Sequence, residues 1–366
     1  MQQELAQRLL SATLNWSDEE IEEYRELLDD FSELKYDQYQ QYKPSSRFVE
    51  SLCIWLNQFE NVDRALAVNF ILNNLVFISP AEMQHLVNVA FPDIVSPVLY
   101  DQSEKLIHKF HLQNVALDHI TELVKHQSLF LAMSDGAHVD IFRRFNKLEH
   151  DQVCVSYDLS DTKFNEITSK MEQRSNKIVE QTNLSSELLS PTFRNVFLLD
   201  DFSGSGISYL RREIDSGKPA WDGKIVKVLN RLFEENIISN ASDKDNPTIH
   251  IILYLITERA LTALKKNISD YCKDNGVIIK IHFIQMIEPV HLTEDEEKWL
   301  RLYYKPGDVE DSHYKKGNMD NPHHGFDGCS LALVLYHNTP NNSFPILWAG
   351  ENALFPRVTR HKDVRG

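Results

Sequence analysis

The stretch Asn195-Val-Phe-Leu-Leu-Asp-Asp-Phe-Ser-Gly-Ser-Gly-Ile-Ser208 carries the reading of this chain. Val196 to Leu199 is an apolar run short enough for a buried strand. Two adjacent carboxylates follow, Asp200 and Asp201, then a loop of small residues, Ser203-Gly204-Ser205-Gly206, then a helix-like segment, Ile207 to Ile214. Strand, acid pair, small-residue loop and helix start are the layout of a phosphate site at a strand's carboxyl end. Glycines let the backbone approach closely, and the N–H groups opening a helix face an anion. The hydroxyls of Ser203, Ser205 and Ser208 are further donors. Carboxylates repel phosphate, so the acid pair needs another object, such as sugar hydroxyls or a Mg²⁺ carried by the ligand. The plainer reading is a strand, an acidic turn and an N-capped helix.

Outward from this stretch, strands and helices alternate. Leu129 to Met133 is an apolar run ending in Ser134-Asp-Gly-Ala137, with a helix expected over His138–Lys147, a short strand at Val153–Val155 and a charged helix over Asp161–Gln181. On the other side, helices are expected over Lys224–Ile238, Glu258–Asp274 and Thr293–Tyr303, and strands over Ile249–Ile256 and Val277–Ile287. Such alternation specifies a mostly parallel sheet with helices on both faces. Ligands of such sheets sit at the strands' carboxyl ends, so the turns at 134–137 and 202–206 are expected to open onto one edge.

The first ~110 residues read as helical. Ile21, Tyr24, Leu27, Leu28 and Phe31 recur at helical spacing, and helices follow over Phe48–Phe59 and Val62–Asn73. Leu75–Ser79 is one short strand, which would serve as the wing of a winged-helix-like module. The tail from about 305 is loop-rich, with one strand over Leu331–Tyr336 and a concentration of polar residues, His313, His323, His324, Asp327, His337, Asn338, Asn341 and Asn342. Loops of this kind beside a sheet form lids or recognition walls. The expected division is a helical N-terminal domain over 1–115 and an α/β domain over 116–366, with the tail as its lid.

Formal net charge is −16, and residues 1–110 carry 8 Lys or Arg against 18 Asp or Glu. A nucleic-acid binder shows a basic face, so direct nucleic-acid binding is not expected and the acidic half suits a protein partner. No apolar run reaches the ~18 residues of a membrane span, no signal-peptide pattern opens the chain, and Cys53, Cys154, Cys272 and Cys329 form no CxxC pair. A cytoplasmic protein with free thiols is expected. His323-His324 with Asp327 and His337 matches no standard zinc spacing, so no direct metal-ligand set is expected. His138 reads equally as a proton-transfer or anion-binding group and as a polar residue at a helix start. There is no Gly-x-Ser-x-Gly elbow, no P-loop and no Gly-x-Gly-x-x-Gly run.

The opening stretch resembles the phosphoribosyl-pyrophosphate loop of type I phosphoribosyltransferases, with Ser203-Gly204-Ser205-Gly206 where a Thr-Gly-Thr-like run is usual. Taken with Ser134–Arg144 and Gly325-Phe-Asp-Gly-Cys-Ser-Leu-Ala-Leu-Val-Leu-Tyr-His-Asn-Thr-Pro-Asn-Asn342, continuing to Trp348 and Phe355-Pro-Arg357, the chain is similar to the phosphoribosyltransferase-like effectors of bacterial conflict systems. These include effectors that accompany retron reverse transcriptases in anti-phage defence. Phe48…Trp55-Leu-Asn-Gln-Phe59 and Leu75–Ser79 also fit that group.

The resemblance implies that Asp200 and Asp201 are the catalytic pair and hold the ribose hydroxyls. Phe202, Ser203, Gly204, Ser205, Gly206 and Ser208 would cradle the 5′-phosphate. Ser134, Asp135, Gly136, Ala137 and His138, with Arg143 or Arg144, would face the pyrophosphate. Asp327, His337 and Asn338 would wall the acceptor side. It further implies Mg²⁺ arriving with the ligand, phosphoribosyl pyrophosphate or a nucleotide as that ligand, and restraint by a partner complex such as a retron reverse transcriptase. Phosphoribosyl transfer, N-glycosidic cleavage and a non-catalytic sensing or scaffold role all remain open.

Overall fold

The computed structural model describes residues 3–44, 46–110, 117–156, 160–215, 218–238, 246–309, 314 and 320–358. His313 lies outside them. In chain order, α1 (Gln3–Leu14), α2 (Asp18–Leu34), α3 (Phe48–Leu56) and α4 (Asn61–Asn74) lead to β1 (Val76–Ile78), α5 (Pro80–Ala90), α6 (Ser96–Phe110) and α7 (Leu117–His126). The alternating region holds β2 (Ser128–Ala132), α8 (Val139–Phe145), β3 (Val153–Val155), α9 (Asp161–Thr182), β4 (Asn195–Ser203), β5 (Arg211–Asp215), β6 (Lys218–Asp222), α10 (Lys224–Glu234), β7 (Thr248–Thr257), α11 (Glu258–Asn275) and β8 (Ile279–Ile287). Then come α12 (Glu294–Tyr303), α13 (Pro306–Val309), β9 (Leu333–Leu335) and α14 (Pro345–Trp348). Among the described residues, no helix is long and apolar enough to cross a membrane.

Two compact units result, one of residues 84–287 and one joining 1–83 to 288–366. This division differs from the expected boundary near 115. The tail groups with the N-terminal helices because its aromatics complete their core. Phe355 packs on Tyr36, Phe48 and Phe77, and Phe344 on Phe70. The Trp55 indole N–H donates to the Ile346 carbonyl at 2.8 Å. The Leu75–Ser79 strand is no wing. As β1 it pairs in parallel with β9, Val76 beside Leu333.

In the unit 84–287, five parallel strands lie in the order β3-β2-β4-β7-β8. Nearly every residue of β2, β4 and β7 is buried, as the continuous apolar runs require of strands covered on both faces. From β2 the chain steps to β3 on one side and returns to β4 on the other. Strand order therefore reverses between β2 and β4, and the carboxyl ends at such a reversal are where ligands of open parallel sheets bind. The register places Ala132 beside Leu199, so the loop after β2 starts level with the acid pair.

Ile207–Ile214 is not a helix. Gly206 accepts from the Tyr209 and Leu210 N–H groups in a single turn, and the chain then enters the antiparallel hairpin β5–β6. The apolar spacing of Ile207, Leu210 and Ile214 is helical, but only Leu210 enters the core, while Ile214 is 81% exposed on the hairpin. The interrupted helix resumes after the hairpin. Lys224 and Ile225 donate their N–H groups to the carbonyls of Ser208 and Tyr209, which stacks α10 on the turn. Gly223 makes the junction possible: its φ is +128°, and a Cβ there would lie 2.3 Å from the Tyr209 carbonyl oxygen.

A row of rings crosses the sheet. Phe130, Phe197, His250 and His282 stack successively at 4.8–5.2 Å, and His250 Nδ1 lies 3.0 Å from His282 Nε2. Burial, with the neighbouring charges of His282 and Lys280, pushes the His250 imidazole down to about 3. The folded protein therefore needs His250 neutral, whereas the unfolded chain protonates it near the ordinary value of 6.5. Stability is lost as pH falls from 6.5 towards 3, by on the order of 5 kcal/mol in all. His250→Phe, which continues the ring stack, is expected to flatten this dependence in urea unfolding at pH 7 and pH 4. An unchanged acid sensitivity would overturn the assignment.

Candidate functional site

Both acids lie inside β4 rather than after it, and strand alternation turns their side chains to opposite faces. Asp200 is fully buried. Its Oδ1 accepts from the Ser134 hydroxyl and, at 3.2 Å, from the Asp201 N–H. Its Oδ2 accepts from the Tyr209 hydroxyl and the Lys224 ammonium, each at 2.6 Å. Four donors thus occupy the four lone-pair positions of one carboxylate. Burial pushes its carboxyl above the ordinary range, the Lys224 charge pulls it down, and the Asp201 charge pushes it up again. The Lys224 ammonium also lies 4.7 Å from the centre of the Tyr209 ring. Neither Tyr209 nor Lys224 stands among the site residues expected from the sequence, because their partner lies 9 and 24 residues away.

Asp201 is half-buried, and its Oδ1 accepts from the Phe202 N–H at 2.8 Å. Its other oxygen faces the loop after β2. A Cβ at Gly136 would lie 2.2 Å from Asp201 Oδ2, so only glycine lets the 134–137 backbone approach this closely. The 134–137 loop therefore closes on the acid pair, Ser134 against Asp200 and Gly136 against Asp201, and the 203–206 loop follows that pair along the chain. The Tyr254 hydroxyl, on β7, holds the same loop by donating to the Ala137 carbonyl at 2.7 Å. Burial and the charges of Asp200 and Asp201 push that phenol well above its ordinary value, keeping it a donor.

Past β4, Gly204 is anchored by its carbonyl, which accepts from the Thr257 hydroxyl at 2.5 Å; the same hydroxyl caps α11 through the Ala260 N–H. Ser203 is 2% exposed and its Oγ has no hydrogen-bond partner among the described residues. An orphaned buried hydroxyl costs about 1–3 kcal/mol, and it stands where the expected 5′-phosphate would supply an acceptor. Ser205 Oγ accepts from the Ile207 N–H at 3.4 Å and Ser208 is exposed. The expected helix N-terminus is thus replaced by one turn joined to α10.

The remaining expected residues separate into two groups. Asp135 is exposed, and His138 has left-handed backbone (φ 46°) as the residue before α8. Arg143 and Arg144 occupy the last turn of that seven-residue helix. Asp327, His337 and Asn338 belong to the other compact unit. Asp327 is buried, the His337 carbonyl accepts from Gln41, and Asn338 Oδ1 accepts from the N–H groups of Thr339 and Val358. His323 and His324 meet Glu297 rather than Asp327 or His337. All four cysteines are free thiols.

A family model described as PRTase-CE matches residues 52–357. A search of the curated proteins and a search of the solved structures found no match.

Proposed function

The chain belongs to the PRTase-CE family and is phosphoribosyltransferase-like; from that premise we propose that it binds phosphoribosyl pyrophosphate or a related nucleotide between the ends of β2 and β4 and acts at ribose C1. The observation that carries this reading is the closing of the 134–137 loop on the acid pair, from which the chain runs directly into the 203–206 loop. One ligand with a phosphate at each end of a ribose would use both loops and the carboxylate between them.

The roles of the two acids separate. Asp201 accepts from the ribose hydroxyls. Asp200, saturated by its four donors, is a positioning residue that ties Ser134, the turn at Tyr209 and the start of α10 to β4. Ser203 and Ser205 with the turn backbone hold the 5′-phosphate, and the 134–137 backbone faces the pyrophosphate, with Arg143 or Arg144 as further donors. Asp201 and the exposed Asp135 are the carboxylates that fit a Mg²⁺ brought by the ligand, which would supply countercharge to pyrophosphate. In the reaction the bond from C1 to the leaving group breaks with its electron pair on that group. A bond from C1 to an acceptor nitrogen or to water oxygen forms, and the acceptor's proton is released. Positioning and electrostatic stabilisation of the oxocarbenium-like state supply the rate.

The resemblance to conflict-system effectors supports a toxic role in anti-phage defence, held in check by a protein or ribonucleoprotein partner. A non-catalytic sensing module is the second reading, and the saturation of Asp200 favours it, since that acid is left no acceptor capacity for substrate. Incubating the full chain with Mg²⁺ and phosphoribosyl pyrophosphate or nucleotides, and following pyrophosphate or free base, separates the two. Turnover is expected. Ligand binding without product would transfer the proposal to the sensing role, and no binding would sink both.

A further inference from the structure

Glu297 on α12 reaches two adjacent histidines of the C-terminal segment. Its Oε1 lies 2.8 Å from His323 Nε2 and its Oε2 lies 2.7 Å from His324 Nε2. The imidazole planes stand 84° apart with centroids 4.5 Å from each other, so two rings present the same nitrogen to one carboxylate from different directions. One donor atom from each of the three residues falls within 4.8 Å of the other two. Two imidazole nitrogens and a carboxylate gathered within that distance are a donor set that suits a borderline metal ion.

Two further features point the same way. His324 Nδ1 lies 2.7 Å from Ser330 Oγ. A metal-binding imidazole characteristically donates from its other ring nitrogen, and Ser330 Oγ can accept from Nδ1–H when an ion takes the place of the Nε2 proton now shared with Glu297. The loop that carries the contact is held in costly backbone conformations, with Asp327 at φ 58° and Ser330 at φ 53°, while the Ser330 N–H donates to the His324 carbonyl at 2.8 Å. Residues held in the left-handed region cost of order 1–3 kcal/mol each and mark sites where geometry is specified. Arg301 Nη2 approaches Glu297 Oε1 at 3.1 Å and would remain as an outer donor to a carboxylate that binds through its other oxygen.

We propose that Glu297, His323 and His324 hold a divalent transition-metal ion, Zn²⁺ by the chemistry of the donor set, linking α12 to the loop over 322–330. Two imidazoles and one carboxylate leave a fourth tetrahedral position for water. The set is distinct from any Mg²⁺ site, which takes oxygen ligands.

The test uses the full chain, stripped with chelator, dialysed, and titrated with Zn²⁺ or with Co²⁺ as a spectroscopic probe. Bound metal is measured by mass spectrometry and coordination by visible absorption. One ion per chain is expected, with intense tetrahedral Co²⁺ bands. Ser330→Ala is expected to weaken binding ~10–100-fold, and the His323→Ala/His324→Ala pair to abolish it. Glu297→Gln keeps the side chain's shape and one acceptor; it is expected to lose the ion while its circular dichroism stays that of the parent, which separates ligand loss from misfolding. No bound ion in the parent chain, or equal occupancy in parent and Glu297→Gln, overturns the proposal.

Discussion

Asp201→Asn is expected to lower affinity for phosphoribosyl pyrophosphate with Mg²⁺ by ~100-fold or more, read by calorimetry, while leaving unfolding almost unchanged. The substitution keeps an oxygen for the Phe202 N–H and a similar shape beside Gly136. It removes the negative charge that would accept two ribose hydroxyls. Hydrogen bonds to a charged group contribute about 1.5–3 kcal/mol each, and 1.4 kcal/mol is tenfold in affinity, so two such bonds give at least that factor. Tight binding retained in Asp201→Asn would move the ribose away from this acid. Asp200→Asn is expected to act chiefly on stability, because the four donors around Asp200 all come from the chain itself.

Lys224→Met is expected to be the most destabilising substitution near the site, by about 3–5 kcal/mol at pH 7 in urea unfolding, since it leaves a fully buried carboxylate without its cation. Pairing it with Asp200→Asn is expected to recover at least half of the loss, because the pair then carries no charge to strand. The pH dependence has a definite sign. A carboxyl whose folded value is raised, as burial raises Asp200, stabilises below that value and loses the contribution as pH rises. The Lys224→Met deficit should therefore shrink as pH falls. Additive effects of the two substitutions would show that the 2.6 Å contact carries no coupling.

The parallel sheet and the placement of both loops on one edge were readable in the chain, since each rests on local signals. Val196 to Leu199, Leu129 to Met133 and Ile249 to Ile256 are apolar runs of strand length, and small residues follow the first two. The hairpin was not readable, because Ile207, Leu210 and Ile214 fit a helical stripe and only packing shows that Ile214 has no core to enter. The packing of the tail was not readable for the same reason in reverse. Phe344 and Phe355 look like residues of a loop-rich lid until Phe70, Tyr36 and Phe48 are found against them.

By itself the sequence determined the acid pair, the two small-residue loops and the parallel order that brings them to one sheet edge, because strand period, glycine and serine placement and strand–helix alternation are written within a few residues of one another. Only the tertiary structure decided that the two acids differ. Alternation along β4 sends Asp200 inward to Ser134, Tyr209 and Lys224 and Asp201 towards Gly136. Which carboxylate is saturated depends on donors far away in the chain, and their arrival is set by packing rather than by any local pattern.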